Sequence, residues 1–225
     1  MAPLTLEQVL RVAAEYNRQI SPLQVLIYVP TLLVFVLLIR GTRQDTSRGV
    51  LLLLASQWGI VGVLFFLLHL AKVHILGYAG AAFFVASAVY YAALASRPFP
   101  PQFHWKPDAQ SWLSVMALAF GIFGYPALSF ALGRGYPATL TYGLMPGSVA
   151  VLSLGVLLAA RPAPRLLLLV PPLLWIMTAP FSIWRWGLWE DAALPLLGAM
   201  GVAGSLLWRS RLSGLDVKDT VRFDF

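Results

Sequence analysis

No cysteine occurs in the 225 residues. That excludes disulfides, thiolate metal ligands and thiol nucleophiles, and leaves the compartment open. Charge is scarce too: Asp, Glu, Lys and Arg make up 11% of the chain, against roughly a quarter in a soluble domain. Acids are the scarcer sign, nine against sixteen Lys and Arg, and there are three histidines. His69 and His74 are expected on one side of a membrane and His104 on the other, which makes a metal or haem site poorly supported; no cofactor is expected. A Gly-rich phosphate loop, a zinc-helix motif and a nucleophile elbow are all missing. The last apolar segment has no lysine, which speaks against a retinal Schiff base of the usual kind. The chain is not expected to be an enzyme.

What the chain has instead is apolar length. Hydrophobic residues make up 59% and mean hydropathy is +0.77. Seven apolar segments follow one another: Pro22–Ile39, Gly49–Leu70, Ile75–Leu94, Trp112–Leu132, Tyr142–Ala160, Leu166–Trp184 and Ala192–Trp208. Each is near the ~20 residues a helix needs to cross a bilayer. Lipid cannot satisfy open backbone groups, so helices are the expected form. The fold class is therefore all-α: a polytopic transmembrane bundle of about seven spans, preceded by an amphipathic helix. The leading segment takes residues 1–21, with its amphipathic stretch from Thr5 to Gln19. Leu6, Leu10, Ala13 and Ile20 recur at helical spacing, and Thr5 with Gln8 fits a capping box. It is too polar to span and is expected in the membrane interface. The bundle takes residues 22–209, and a short cytoplasmic tail takes 210–225. The prolines of the longest connector, Ser96–Gln110, are expected to preclude regular helix or strand.

The net charge of +7 sits in short loops, where it sets topology rather than binding nucleic acid. Eleven cations, Arg40, Arg43, Arg48, Arg97, Lys106, Arg161, Arg165, Arg209, Arg211, Lys218 and Arg222, are expected on one side. Five, Arg11, Arg18, Lys72, Arg134 and Arg185, are expected on the other. The richer side should be the cytoplasm. The amino terminus is then outside an inner membrane and the carboxyl terminus inside.

Polar groups at membrane depth are costly and so become functional candidates. Gln57 and Trp58 lie within the second segment, where a Gln also serves to bond a neighbouring helix. His69, Lys72 and His74 follow; they suit a cation or proton relay, or else an interfacial cluster with Lys72 snorkelling. The Gly- and Pro-rich stretch Arg134–Ser148 is expected to be an irregular crossing. Its hydroxyls, among them Tyr136, Thr141 and Tyr142, either line a ligand cavity or cap an ordinary turn. The sixth segment carries Pro171, Pro172 and Pro180 near Trp175, and is expected to be kinked. Glu190 and Asp191, with Arg185 before them, either suit the positive end of the last helix or form a cation site or an ion pair to Arg134 or Lys72. Gly198, Gly201 and Gly204 make a ridge for close helix packing. A unit Gly-Tyr-Pro-Ala occurs twice, at Gly124–Ala127 and Gly135–Ala138.

Five stretches occur in order: EYNRQISPLQVLIY at Glu15–Tyr28, QWGIVGV with HLAKVH within Gln57–His74, YPALSFALGRGYPATLTYGL at Tyr125–Leu144, LLLLVPPLLW at Leu166–Trp175 and GLWEDAAL at Gly187–Leu194. Together they resemble an uncharacterised bacterial membrane-protein family known only as a domain of unknown function. That resemblance implies a multi-span inner-membrane protein of a kind sometimes labelled permease. The chain departs from the pattern at Val73–His74, where relatives tend to have Ile-Asn. It departs again at Leu144–Pro146, where they often have Pro-Cys-Pro, so a role for that cysteine would not transfer. The expected function is transport of a small molecule or ion; the alternative is a non-catalytic membrane subunit, assembly factor or sensor. Expected partners are the lipid bilayer, a small-molecule or ion substrate, and either a second copy or a membrane partner protein.

Overall fold

A computed structural model describes residues 4–21, 36, 44–140, 145–161 and 166–220. The first expected span, Pro22–Ile39, falls almost wholly outside the described residues, as do Thr141 and Tyr142. Helix α1 covers residues 6–21. It is followed by α2 (Gln44–Ile60), α3 (Leu76–Ala95), α4 (Ala109–Ala119), α5 (Tyr125–Ala131), α6 (Pro146–Leu158), α7 (Leu166–Ile176), α8 (Ala179–Trp186) and α9 (Ala193–Thr220). Wide π turns at Val61–Leu67 and Phe120–Gly124 prolong α2 and join α4 to α5. Among the described residues, five helical stretches are long and apolar enough to cross a membrane: Thr46–Lys72, Leu76–Ala95, Ala109–Ala131, Leu166–Trp186 and Trp189–Leu207. Their outer surfaces carry exposed Val89, Phe123, Phe130, Met177, Trp184 and Leu207, a coat suited to lipid rather than water.

Among the described residues, the fifth expected span is a shorter helix than the other candidates. Helix α6 has 13 residues, about 20 Å at 1.5 Å per residue, which is short of the ~30 Å hydrocarbon core. Its sequence is apolar all round, so it lies in the middle of the bundle; every residue from Gly147 to Leu158 is buried. Side chains from two neighbours fasten it. Trp58 donates its indole N–H to Ser153 at 2.8 Å, and Ser114 donates to the Gly155 carbonyl at 2.6 Å. The glycine ridge of α9 does pack closely. A Cβ at Gly201 would lie 2.9 Å from Leu154 of α6, and one at Gly198 would lie 2.9 Å from Ile176 of α7.

Four further features bear on the expectations. The apolar face of α1 is turned onto the bundle: Val9, Val12, Ala13, Tyr16 and Ile20 are buried, and Tyr16 meets the Phe65 ring edge-on at 5.4 Å. The capping box of Thr5 and Gln8 is formed. A short ladder does exist in the Pro-rich connector, with Gln102–Phe103 antiparallel to Ala160–Arg161. The prolines stand at 98, 100, 101 and 107, so those two residues keep the N–H groups that pairing needs. The sixth segment breaks at Met177–Thr178, ahead of Pro180, and not at Pro171–Pro172, which α7 contains. Pro180 has no N–H to offer the Ile176 carbonyl, four residues back. Finally, α9 runs to Thr220, so the backbone of the expected tail is helical over most of its length.

At the end of α6 away from α1, Arg161 bonds Asp108 at 2.9 Å. Asp108 caps α4 by accepting from the Ser111 N–H at 2.8 Å. Partial burial pushes the Asp108 carboxyl up, but the Ser111 N–H and the Arg161 guanidinium outweigh it and hold the group below its ordinary value.

The α2–α3 corner depends on Gly77, where a Cβ would overlap the backbone of Ala71. Gly77→Ala is expected to cost about 1–3 kcal/mol, the usual range for overpacking. Gly135→Ala, with open space around it, should be near neutral. Thermal denaturation in mild detergent checks the pair.

Candidate functional site

The site lies at the end of the bundle where α1, the turn after α5 and the start of α9 meet. Gly187 ends α8 in the left-handed conformation, φ 65°, and allows the chain to reverse into a 3-10 turn, Trp189–Ala192. That turn carries Glu190 and Asp191 inward. Glu190 is 0% exposed and Asp191 8%. A buried carboxylate is tolerated only when partners replace its water, and the two acids solve this differently.

Glu190 takes a cation. Arg134, from the turn that follows α5, directs Nη1 at both carboxylate oxygens, at 2.7 and 2.6 Å, and its Nη2 donates to the Gly187 carbonyl at 3.0 Å. Asp191 takes neutral hydroxyls. Tyr125 Oη donates to its Oδ1, and Ser182 Oγ reaches its Oδ2 at 2.5 Å. The Ser182 hydroxyl has one proton and two acceptors in reach, since the Ala179 carbonyl stands 2.9 Å away. It therefore suits Asp191 in either protonation state, donating to a carboxylate or accepting from a carboxylic acid while donating to Ala179. Gly147, in the first turn of α6, permits this meeting: a Cβ there would overlap the Tyr125 hydroxyl and lie 2.9 Å from Asp191 Oδ1.

Asp191, Tyr125 and Ser182 form the polar end of a cavity of about 500 Å³. The rest of its wall is almost wholly apolar. Phe65 and Phe66 come from the π turn after α2, Phe83 from α3, Trp175 from α7, Phe181 and Trp186 from α8, and Leu4 and Val9 from α1 and the residues before it. Aromatic contacts stiffen the wall: Trp175 meets Phe66 at 5.6 Å and Phe84 at 4.9 Å.

Three anchors fix α1 against this end. Asn17 donates to the carbonyls of Pro137 and Thr139 at 2.7 and 2.8 Å. Trp186 donates to the Leu4 carbonyl at 3.1 Å. His69 sets Nδ1 2.6 Å from the Leu64 carbonyl and Nε2 3.0 Å from Gln19 Oε1. The Tyr16 hydroxyl, buried beside His69, has its ionisation pushed well above the ordinary tyrosine value by desolvation.

The candidates thus separate. Asp191 and Trp175 line the cavity; Glu190 and Arg134 stand behind the acid; His69 anchors α1 nearby. Gln57 and Trp58 are buried, and the bond to Ser153 makes Trp58 a packing residue. Lys72, Tyr136 and Arg185 are exposed, and His74 accepts from the Leu76 N–H at 3.2 Å. Of the crossing's described hydroxyls, Thr139 donates to the Arg134 carbonyl and Ser148 to that of Met145. That stretch caps its own turn as far as it is described. Sequence reasoning missed Tyr125 and Ser182. The first lay in the repeated Gly-Tyr-Pro-Ala unit, whose second tyrosine, Tyr136, is exposed; the second carried no signal beyond a hydroxyl in an apolar segment.

The fold and site define a largely helical protein with, among the described residues, five helices of membrane-crossing length and an acid-ended apolar cavity. The chain belongs to DUF6064, a family of unknown function, whose model matches residues 6–216. This agrees with the resemblance read from the ordered stretches. No curated protein and no solved structure matches the chain.

Removing one partner of a buried pair leaves the other charge uncompensated. Arg134→Gln is expected to cost about 3–5 kcal/mol of stability, and Glu190→Gln is expected to be destabilising as well. The double variant should lose clearly less than the sum of the singles. Denaturation of all four proteins in one detergent checks this; additive losses would show that the pair is not coupled.

Proposed function

We propose that the protein is an integral protein of the inner membrane that binds a small molecule in the Asp191 cavity and carries it across, and that it is not an enzyme. The observation that carries this reading is the cavity: about 500 Å³ of apolar space closed at one end by a buried carboxylate. Ligand sites have this composition, with broad apolar walls and a few convergent polar groups. The interrupted helices add support. Helix α6 begins beside the acid and α7 gives way to α8 at the cavity wall, and broken helices frame the binding sites of many transporters. Catalysis has less support, because Glu190 is committed to Arg134 and Asp191 to two hydroxyls. The orientation we propose puts the amino terminus outside and the carboxyl terminus in the cytoplasm, on the charge asymmetry of the loops.

Native mass spectrometry after gentle extraction from the cell's own membrane tests the reading. The expected result is a small-molecule adduct on a chain that brings no other protein with it, lost in Ala79→Phe, which fills the cavity from α3. A stoichiometric partner chain with no adduct would contradict carriage and favour a subunit role.

A further inference from the structure

Among the described residues, the acid that lines the cavity has no cation of its own. Arg134 is spent on Glu190, and among the described residues no ion pair reaches Asp191. Its two partners, Tyr125 and Ser182, are neutral. With both acids ionised, two negative charges and one positive charge leave one net negative charge at the polar end of an apolar space. An uncompensated charge in such surroundings is costly. A ligand that brings a positive charge relieves it; an anionic ligand makes it worse, and a neutral one leaves it as it was.

The wall points the same way. Phe66, Phe83, Trp175, Phe181 and Trp186 surround the cavity, and aromatic faces attract cations through their quadrupoles. A carboxylate at one end of an aromatic enclosure is the chemistry that recognises an ammonium group. The volume adds a further constraint. About 500 Å³ is far more than a bare metal ion or a small ammonium fills, so the charge must carry an apolar body. We propose that the ligand is a lipophilic ammonium: its charged head pairs with Asp191, and its hydrocarbon portion lies among the aromatic walls. This rests on the reading of the cavity as a ligand site.

Two probes of equal length separate the inference from that reading. Radiolabelled decylamine, charged at neutral pH, and uncharged 1-decanol are bound to the protein in phosphatidylcholine nanodiscs, with empty discs subtracted. The wild-type protein is expected to hold the amine about tenfold more tightly than the alcohol, the ratio that a charge-assisted hydrogen bond gives over a neutral one. In Asp191→Asn, the alcohol should bind within about twofold of wild type and the amine should fall to the alcohol's level. Equal affinities in the wild-type protein, which need no variant to fold, overturn the inference and leave the cavity reading standing. A preference for amine that survives in Asp191→Asn also overturns it. If neither probe binds, the cavity reading fails and the inference falls with it.

Discussion

Two carboxylates sit side by side in a bundle with almost no water-facing interior, and the architecture at one end follows from the need to satisfy them. The Arg134–Glu190 pair, in which Nη1 meets both carboxylate oxygens, ties the turn after α5 to the turn before α9. Once it is made, the chain around it has little freedom. Gly187 must reverse the backbone, and Asn17 of α1 can then reach over the same turn to the carbonyls of Pro137 and Thr139. The pair matters less as a source of stability, since buried ion pairs often do little better than apolar replacements, than as a fixed register. It leaves Asp191 pointing into the cavity, held by hydroxyls alone.

The opposite end uses the same devices for a different result. Arg161 and Asp108 also form a pair, but there the acid doubles as a helix cap and the cation closes a two-residue ladder. Gln110 donates to the carbonyl of Leu158 at the end of α6. Between the two clusters runs α6, short and buried from Gly147 to Leu158, which sets how deep the polar turn at its amino end reaches. A short central helix and an acid met by two hydroxyls are thus two aspects of one arrangement.

Much of this was legible in the residues. The capping box at Thr5, the glycine ridge of α9 and the apolar helices all followed from local rules of spacing and composition. The Arg134–Glu190 pair stood among the alternatives because loop counting put both residues on one side. What could not be read were partners distant in sequence with no pattern of their own. Tyr125 and Ser182 lie 66 and 9 residues from Asp191, and a lone hydroxyl in an apolar run is indistinguishable from one that bonds its own helix, as Ser205 does. The docking of α1 was hidden for a related reason: an amphipathic face shows that something covers it, and a bilayer surface and a helical bundle suit it equally. Three prolines in the sixth segment announced a kink without saying which one makes it: Pro171 and Pro172 are absorbed by α7, and the helix ends ahead of Pro180.

The central feature is an accessible apolar cavity that ends in an acid without an ion-pair partner among the described residues. The absence of cysteine makes a direct measurement simple. Thr178 lines the cavity one turn before Ser182, and Thr178→Cys gives the protein a single thiol there. Its modification rates by a cationic and an anionic methanethiosulfonate of similar size are compared, each corrected for its rate with a free thiol. The account predicts that the cationic reagent is the faster and that the preference vanishes when Asp191→Asn is added. Equal rates, or faster reaction with the anion, would contradict it.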